Sequence, residues 1–572
     1  MKINKHLIFD LAHVLACAIV LLAYWLLREP VWFSDRSLLI GIVLLSLGVG
    51  ICLGSLPSLV LISSFYCFLY FKIFGKIVNI YSIAIVLILI CFLAIYVKWV
   101  KEEKNIPLKY RLLGVVILFV GNSFLTKYDR SFTEYANGEY VNLNESPYYC
   151  YYHPEDRDAY IECLGEISYL YKELSLETEL FHNYDTYEKN WRRFVDRSID
   201  TIANEYNAMF KDKNLIIIQS DSLFDCYLDK ELTPTLWQMK NEGIFVEGFS
   251  NMIAKRGTNH IDMATNLSLF PLDDVGCYAY LYDNLVYQTT LAGTFKKNNY
   301  QTAFISNMPG RYYNRSLLYK TYGYDELITP YDPGEMVIYE NWRMVEDIIG
   351  FVKANEKTMV YYSPVRNEWI PFDKAERVDK NYPGISDYDR TMIYNLIDLD
   401  LGISNLIYRL YEEEMLDNTV FVISGYNNDR TDSALYYANS NEKSADTPLI
   451  IYAQNQSGEV FHKTSSSLDL LPTLANLWDI DCDMQNIIGR DIFSSSYRGM
   501  QLTSFHEKLK YFWYSDDIAY NYRYGYANPR ENQNISDSQK RTIAFDFKQR
   551  IAYSEAVFKK QKLDLYLASK DN

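Results

Sequence analysis

Two textures of hydrophobic patterning divide this 572-residue chain. In the first, five apolar segments with almost no interior charge crowd the N-terminal 127 positions, at about residues 7–27, 38–53, 59–74, 80–97 and 112–125. Each approaches the ~17–25 residues that a bilayer-crossing helix needs, the second, third and fifth being short. The pattern predicts a five-helix transmembrane domain over residues 1–127. Residues 128–208 are polar, Tyr-rich and helical in pattern ("AYIECLGEISYLYKELSLE"), and predict a juxtamembrane stalk. From Asn214 onward the second texture begins, in which short β-branched runs alternate with amphipathic stretches. That alternation is the signature of a parallel sheet covered by helices. Strands are expected at "NLIIIQ", "QTAFIS", "TMVYYS", "TVFVIS" and "PLIIYA", with helices at "LTPTLWQMKNEG", "LAGTFKKNN" and "LDLGISNLIYRLYEEEML". They place an α/β domain over residues 209–500, followed by a C-terminal extension over 501–572 that packs on it and ends in a solvated helix. Ligands of open α/β sheets bind at the carboxyl ends of the strands. The positions to inspect therefore follow Gln219, Ser306, Ser363, Ser424 and Ala453.

Charge gives the apolar region an orientation. Lys2 and Lys5 precede the first segment, and Lys98, Lys101, Lys104, Lys109 and Arg111 separate the fourth from the fifth. Both stretches face the cytoplasm if the N-terminus does, as the positive-inside rule requires. An odd number of spans then carries everything after about Lys127 outside the cell, making this a multi-pass cell-membrane protein. No small-x-small cleavage site follows the first segment, which reads as an anchor and not as a signal peptide. Residues 1–130 carry 13 Lys/Arg against 6 Asp/Glu, so the remaining 442 residues hold a net charge of −23. An acidic outer part without a basic run argues against nucleic acid as a partner. No CxxC pair or zinc-type spacing occurs, and Cys150 and Cys163 stand equally as a disulfide or as two buried thiols.

The first strand empties into "SDSLFD" and so brings Asp221 to the crevice. Helix capping is its plain alternative role. Further on, Gly257-Thr258-Asn259 opens a helical pattern. There, backbone N–H groups and the macrodipole favour an anion such as phosphate. Thr258 as a simple N-cap is equally open on local grounds.

In order and spacing, the stretches "SDSLFD", "LTPTL", "GTNHIDMATNLSLFPL", "RYYNRSLLYKTYGYDEL", "TPLIIYA", "SLDLLPTLANLWDID" and "GRD" resemble the lipoteichoic acid synthase family. Its members are membrane-anchored proteins of the alkaline phosphatase and sulfatase superfamily. The resemblance implies five spans followed by an extracytoplasmic sulfatase-like domain, built on a mixed, mostly parallel sheet with helices on both faces. It further implies cleavage of phosphatidylglycerol and transfer of its glycerol phosphate to a growing polymer. Carried over by motif, Thr258 is the nucleophile and a metal ligand, Asp221 an acidic metal ligand, and Tyr313, Asn314 and Arg315 the phosphoglycerol-binding region. A threonine hydroxyl needs activation by a base or a metal, and a divalent ion of the Mn, Mg or Zn type would stabilise the alkoxide. Arg315 would hold a phosphate oxygen through its planar fork. Ordinary packing for Tyr313 and a surface ion pair for Arg315 are the plain alternatives.

The chain departs from the family where the metal should be held. Alignment places the family's Asp-His pair on Tyr426 and Asn427, and a further family histidine on Trp369. His260 is the only histidine inside a matching stretch. Asn427, Asn428, Asp429 and Glu368 are the substitutes within reach in sequence, suited to Mg²⁺ or Ca²⁺ better than to manganese or zinc. Loss or strong weakening of the metal site is therefore expected over rearrangement, leaving open a protein with no cofactor. Two functions follow. One is phosphoglycerol transfer or hydrolysis on a phosphatidylglycerol-like lipid at the outer membrane face. The other is an inactive relative that binds glycerol phosphate polymer or scaffolds cell-envelope polymer synthesis. A sulfatase proper is disfavoured, because Thr258 is followed by Asn-His-Ile and lacks the Cys/Ser-x-Pro-x-Arg context. The 52 tyrosines suit either aromatic platforms for polyols or simple compositional bias.

Overall fold

The computed structural model describes residues between 150 and 570, leaving out 151–152, 165–168, 170–171, 174, 177–183, 199–203, 222, 250–257, 271–283, 311–313, 331–340, 366–377, 427–446, 500, 504–511, 522–525 and 530–534. The five expected spans lie outside the described residues. Among the described residues no helix is long and apolar enough to cross a membrane.

The chain forms two compact units, one of residues before Asn183 together with Leu565–Asn572, the other Asn183–Asp564. In the first, helix α1 (Arg157–Leu164) is joined by Tyr160 packing edge-on against Tyr169 at 5.4 Å. Lys570 pairs there with Glu173 at 2.8 Å. The second unit begins with helix α2 (Tyr184–Ser198) and contains the sheet.

Eight strands build that sheet: β1 (Asn214–Ser220), β2 (Ile244–Phe249), β3 (Gln301–Ser306), β4 (Glu326–Ile328), β5 (Thr358–Ser363), β6 (Thr419–Gly425), β7 (Leu449–Ala453) and β8 (Glu459–Ser465). Their spatial order is β4-β3-β5-β1-β6-β7-β2-β8. All pairings are parallel except those of β7, which runs antiparallel to both β6 and β2. β1, β5 and β6 are buried throughout, which is why their sequences are near-continuous apolar runs.

Each of the five sequence-predicted strands forms to within a residue, but one consequence is corrected. Because β7 runs backwards, Ala453 lies at the edge of the sheet opposite the crevice. An apolar pentapeptide buried on both faces carries no mark of direction, so the pattern was blind to the reversal. Strands β2, β4 and β8 were not foreseen, β8 because its exposed half alternates polar residues. The C-terminal extension also departs from the expected polar tract ending in a helix. It contains a four-stranded antiparallel sheet of β9 (Gln501–Thr503), β10 (Phe512–Tyr514), β11 (Ile518–Asn521) and β12 (Tyr526–Pro529), in the order β12-β11-β10-β9. Strands of three or four residues are too short to show a period.

Helices α3 (Pro234–Glu242), α4 (Thr258–Leu267), α5 (Leu291–Lys296), α6 (Arg315–Thr321), α7 (Asn341–Ala354), α8 (Asp387–Glu412), α9 (Leu470–Trp478) and α10 (Asp537–Lys570) complete the fold. Local chemistry explains several of their starts. Pro234 occupies the first turn of α3, where its missing N–H costs nothing. Ser386 caps α8 by accepting from the Asp389 N–H at 3.1 Å, with Asp387 and Asp389 in the positive first turn. α8 thus begins twelve residues before the expected stretch at Leu399. The main apolar core joins one face of the sheet, through Ile216, Ile218, Val360, Tyr362, Phe421 and Ile423, to α3, α7 and α8. Side chains alternate faces along a strand, so Ile217, Gln219, Tyr361, Ser363 and Ser424 point to the opposite face.

Candidate functional site

The same alternation carries Tyr426, the residue after β6, onto the face of Gln219 and Tyr361. Its backbone N–H donates to the Ser220 carbonyl at 2.8 Å, extending the β1–β6 pairing by one bond. Gly425 is required at this point, because a Cβ there would stand 2.3 Å from the Leu223 carbonyl oxygen. Helix α4 lies over this face and supplies Asp262 and Thr265, both fully buried. Helix α6 supplies Arg315, also buried at 1% exposure. Asn314, immediately before it, is left-handed at φ 52°, a conformation asparagine tolerates better than most residues.

These residues form one hydrogen-bonded cluster at the carboxyl ends of β1, β5 and β6. The Tyr426 hydroxyl donates to Asp262 Oδ1 and lies 3.0 Å from Ser363 Oγ. The Tyr361 hydroxyl is 3.1 Å from the same carboxylate oxygen and 2.8 Å from the Tyr426 hydroxyl. Gln219 Oε1 accepts from Tyr361 and, at 3.1 Å, from Thr265. Arg315 Nη2 meets the other carboxylate oxygen, Asp262 Oδ2, at 3.4 Å, and Arg315 Nη1 lies 3.5 Å from Ser306 Oγ. Burial works against the Arg315 charge. Asp262 foremost, with Asp221 adding a weaker pull, raises the guanidinium above its ordinary value all the same. Burial also pushes the Tyr426 phenol well above its usual range, and the Asp262 carboxylate pushes it further. Tyr426 is therefore a neutral donor to Asp262.

Asp221 is buried at 8% exposure one residue past β1, and Thr258 is the first residue of α4. Tyr313, Asn427, Asn428, Asp429, Glu368 and Trp369 lie outside the described residues. Arg315 is no surface ion-pair partner, since it is among the largest fully buried side chains. Residues that carry the cluster but were assigned no role from sequence are Asp262, Tyr361, Gln219 and Ser363. For Asp262 the available signal was an acid four residues after Thr258, on the apolar helix that opens the motif.

The superfamily generally uses a divalent metal. The described residues do not fit one here. No group of three or more His, Cys, Asp or Glu side chains is placed to hold an ion among them. Oxygen ligands of Mg²⁺ or Ca²⁺ must come within roughly 2.0–2.6 Å, yet Asp262 already accepts from the Tyr426 phenol on one oxygen and meets the Arg315 guanidinium with the other.

Residues 213–480 match the sulfatase family model. Over those residues the chain is sulfatase-like, and the curated relatives it resembles are lipoteichoic acid synthases. It is similar to lipoteichoic acid synthase 1 of Bacillus subtilis (strain 168), 24% identical over 326 residues that make up 51% of this chain and 50% of the relative. It is similar also to lipoteichoic acid synthase of Staphylococcus aureus (strain USA300), 24% identical over 362 residues, covering 58% and 54%. This synthase-like chain thus spans about half the length of the curated relatives it matches. The crystal structure of lipoteichoic acid synthase LtaP from Listeria monocytogenes superposes with a TM-score of 0.54 at 19% identity, over 65% of this chain and 98% of that one. That likeness carries the fold.

Proposed function

We propose that this protein is a membrane-anchored, lipoteichoic-acid-synthase-like binder of glycerol phosphate polymer at the outer face of the cell membrane, without phosphoglycerol transfer of its own. The observation that supports it is the donation of the Tyr426 hydroxyl to Asp262. A phenol engaged with the helix acid occupies the strand end where the resemblance calls for a metal-binding carboxylate. Without that carboxylate the activation that the resemblance implies for Thr258 is weakened, and a poor nucleophile stays poor near neutral pH. The crevice itself, the α4 N-terminus and the fold that carries them remain, and they suit phosphate recognition.

One observation favours the second reading, phosphoglycerol transfer or hydrolysis by Thr258. Asp221 and Thr258 keep their backbone positions at the ends of β1 and the start of α4. One experiment decides between the readings. Full-length protein in detergent is given fluorescent phosphatidylglycerol, and in parallel immobilised glycerol phosphate polymer. Polymer retention without lipid turnover is the expected result. Turnover that disappears in Thr258→Ala overturns the binding proposal in favour of the enzyme.

A further inference from the structure

We infer that Arg315, held by Asp262, is the resident cation of this crevice and takes the place of the divalent metal. The inference rests on reading the crevice as a non-transferring site and says what balances its charge. Asp221 and Asp262 both lie buried on the crevice side of the sheet, at 8% and 0% exposure. Two acids withdrawn from water require compensation. In a metal enzyme the ion supplies it. Here the buried guanidinium is in contact with Asp262 at 3.4 Å and within the electrostatic reach of Asp221.

The replacement at position 426 fits this exchange of charge. A carboxylate there would leave three acids around a single positive charge. The phenol removes one negative charge and instead supplies a donor to Asp262 Oδ1. Its hydroxyl is in turn supported by Ser363 and Tyr361, at 3.0 and 2.8 Å. Thr265 and Tyr361 both donate to Gln219 Oε1, and Tyr426 donates to Asp262 Oδ1. An incoming ion would have to strip Asp262 of a phenol and a guanidinium together. Arg315 Nε is the one nitrogen of the fork that is buried without a hydrogen-bond partner.

Manganese binding to the full-length protein in detergent tests this. Titration calorimetry and elemental analysis of the wild type are expected to give no Mn²⁺ above buffer background, with the same melting temperature in Mn²⁺ and in EDTA. Tyr426→Asp combined with Asn427→His is expected to gain Mn²⁺ affinity by about tenfold or more. Stoichiometric Mn²⁺ in the wild type, lost in Asp221→Asn, overturns the inference. So does a rise in wild-type melting temperature with Mn²⁺, since a ligand that binds only the folded state stabilises it. The wild-type measurement decides even if the double variant fails to fold. The outcome is separable from the function proposed above. A protein that excludes Mn²⁺ and ignores the polymer leaves this inference standing and sinks polymer binding.

Discussion

Two buried arginines of the second unit sit in opposite circumstances. Arg315, in the crevice, touches a carboxylate. The guanidinium of Arg490, in the turn after the strand-helix unit β8–α9, pairs with no carboxylate among the described residues, although its backbone N–H donates to Asp469. Its Nη1 donates to the Gly489 carbonyl at 2.8 Å, its plane faces the Trp191 ring at 5.4 Å, and its Nη2 is buried without a hydrogen-bond partner. Beside it, Arg550 of α10 monopolises Asp546, at 2.6 Å through Nε and 3.0 Å through Nη2. Burial and the neighbouring Arg550 push Arg490 down to about 9, whereas Arg315 is held up. Residue type and burial are shared, so contact with an acid is the variable that reverses the sign. Arg315 is thereby committed to the crevice floor. Arg490 is an apolar-faced anchor at the seat of α10, where Arg550 also donates to the Ile488 carbonyl.

The sharpest way to break the comparison is to delete each guanidinium. Arg315→Met strands the Asp262 carboxylate in the interior, and breaking a buried pair in this way costs about 3–5 kcal/mol. Denaturant unfolding of the full-length protein should show a loss of that order, with Tyr426→Phe costing less, about 1–3 kcal/mol for one buried hydrogen bond.

A pH effect of intermediate size sits beside Arg490. Burial raises the Asp469 carboxyl to about 6, although N–H groups of Arg490 and Ser466 and the Tyr497 hydroxyl hold it back. The folded value exceeds the unfolded one, so this site penalises folding only once it ionises. Stability from it is complete below about pH 4 and is lost as pH rises to about 6, by on the order of 3 kcal/mol. Asp469→Asn should remove that slope, and parallel melts at pH 4, 5, 6 and 7 read the difference between the two proteins.

Arg490→Met is expected to change stability least, within about 1 kcal/mol. It forfeits a stacking contact but relieves the repulsion on Arg550. A loss as large as that of Arg315→Met would erase the distinction between the two arginines.

Much of this was legible beforehand because it is local. Buried strands such as Asn214–Ser220 announce themselves by unbroken β-branched runs, and Thr258 was recognisable as a helix start from the glycine and polar residues around it. The oddity at Tyr426 was legible as well, but only as a missing acid. What the phenol does instead was hidden, because its partner Asp262 is 164 residues away and the third member, Arg315, is 53 residues from Asp262. A side chain's chemistry can be read in place, whereas its partner depends on the order in which strands assemble.

The order of residues alone thus settles the five most apolar strands, which face each of their residues takes, and that position 426 cannot supply a carboxylate. Tertiary structure decides that β7 runs against its neighbours, that Gln219, Tyr361 and Tyr426 converge from adjacent strands, and that a guanidinium meets the helix acid beneath them. The physical reason is that alternation and helical period act over a few residues. Compensation of a buried charge is negotiated across the whole sheet.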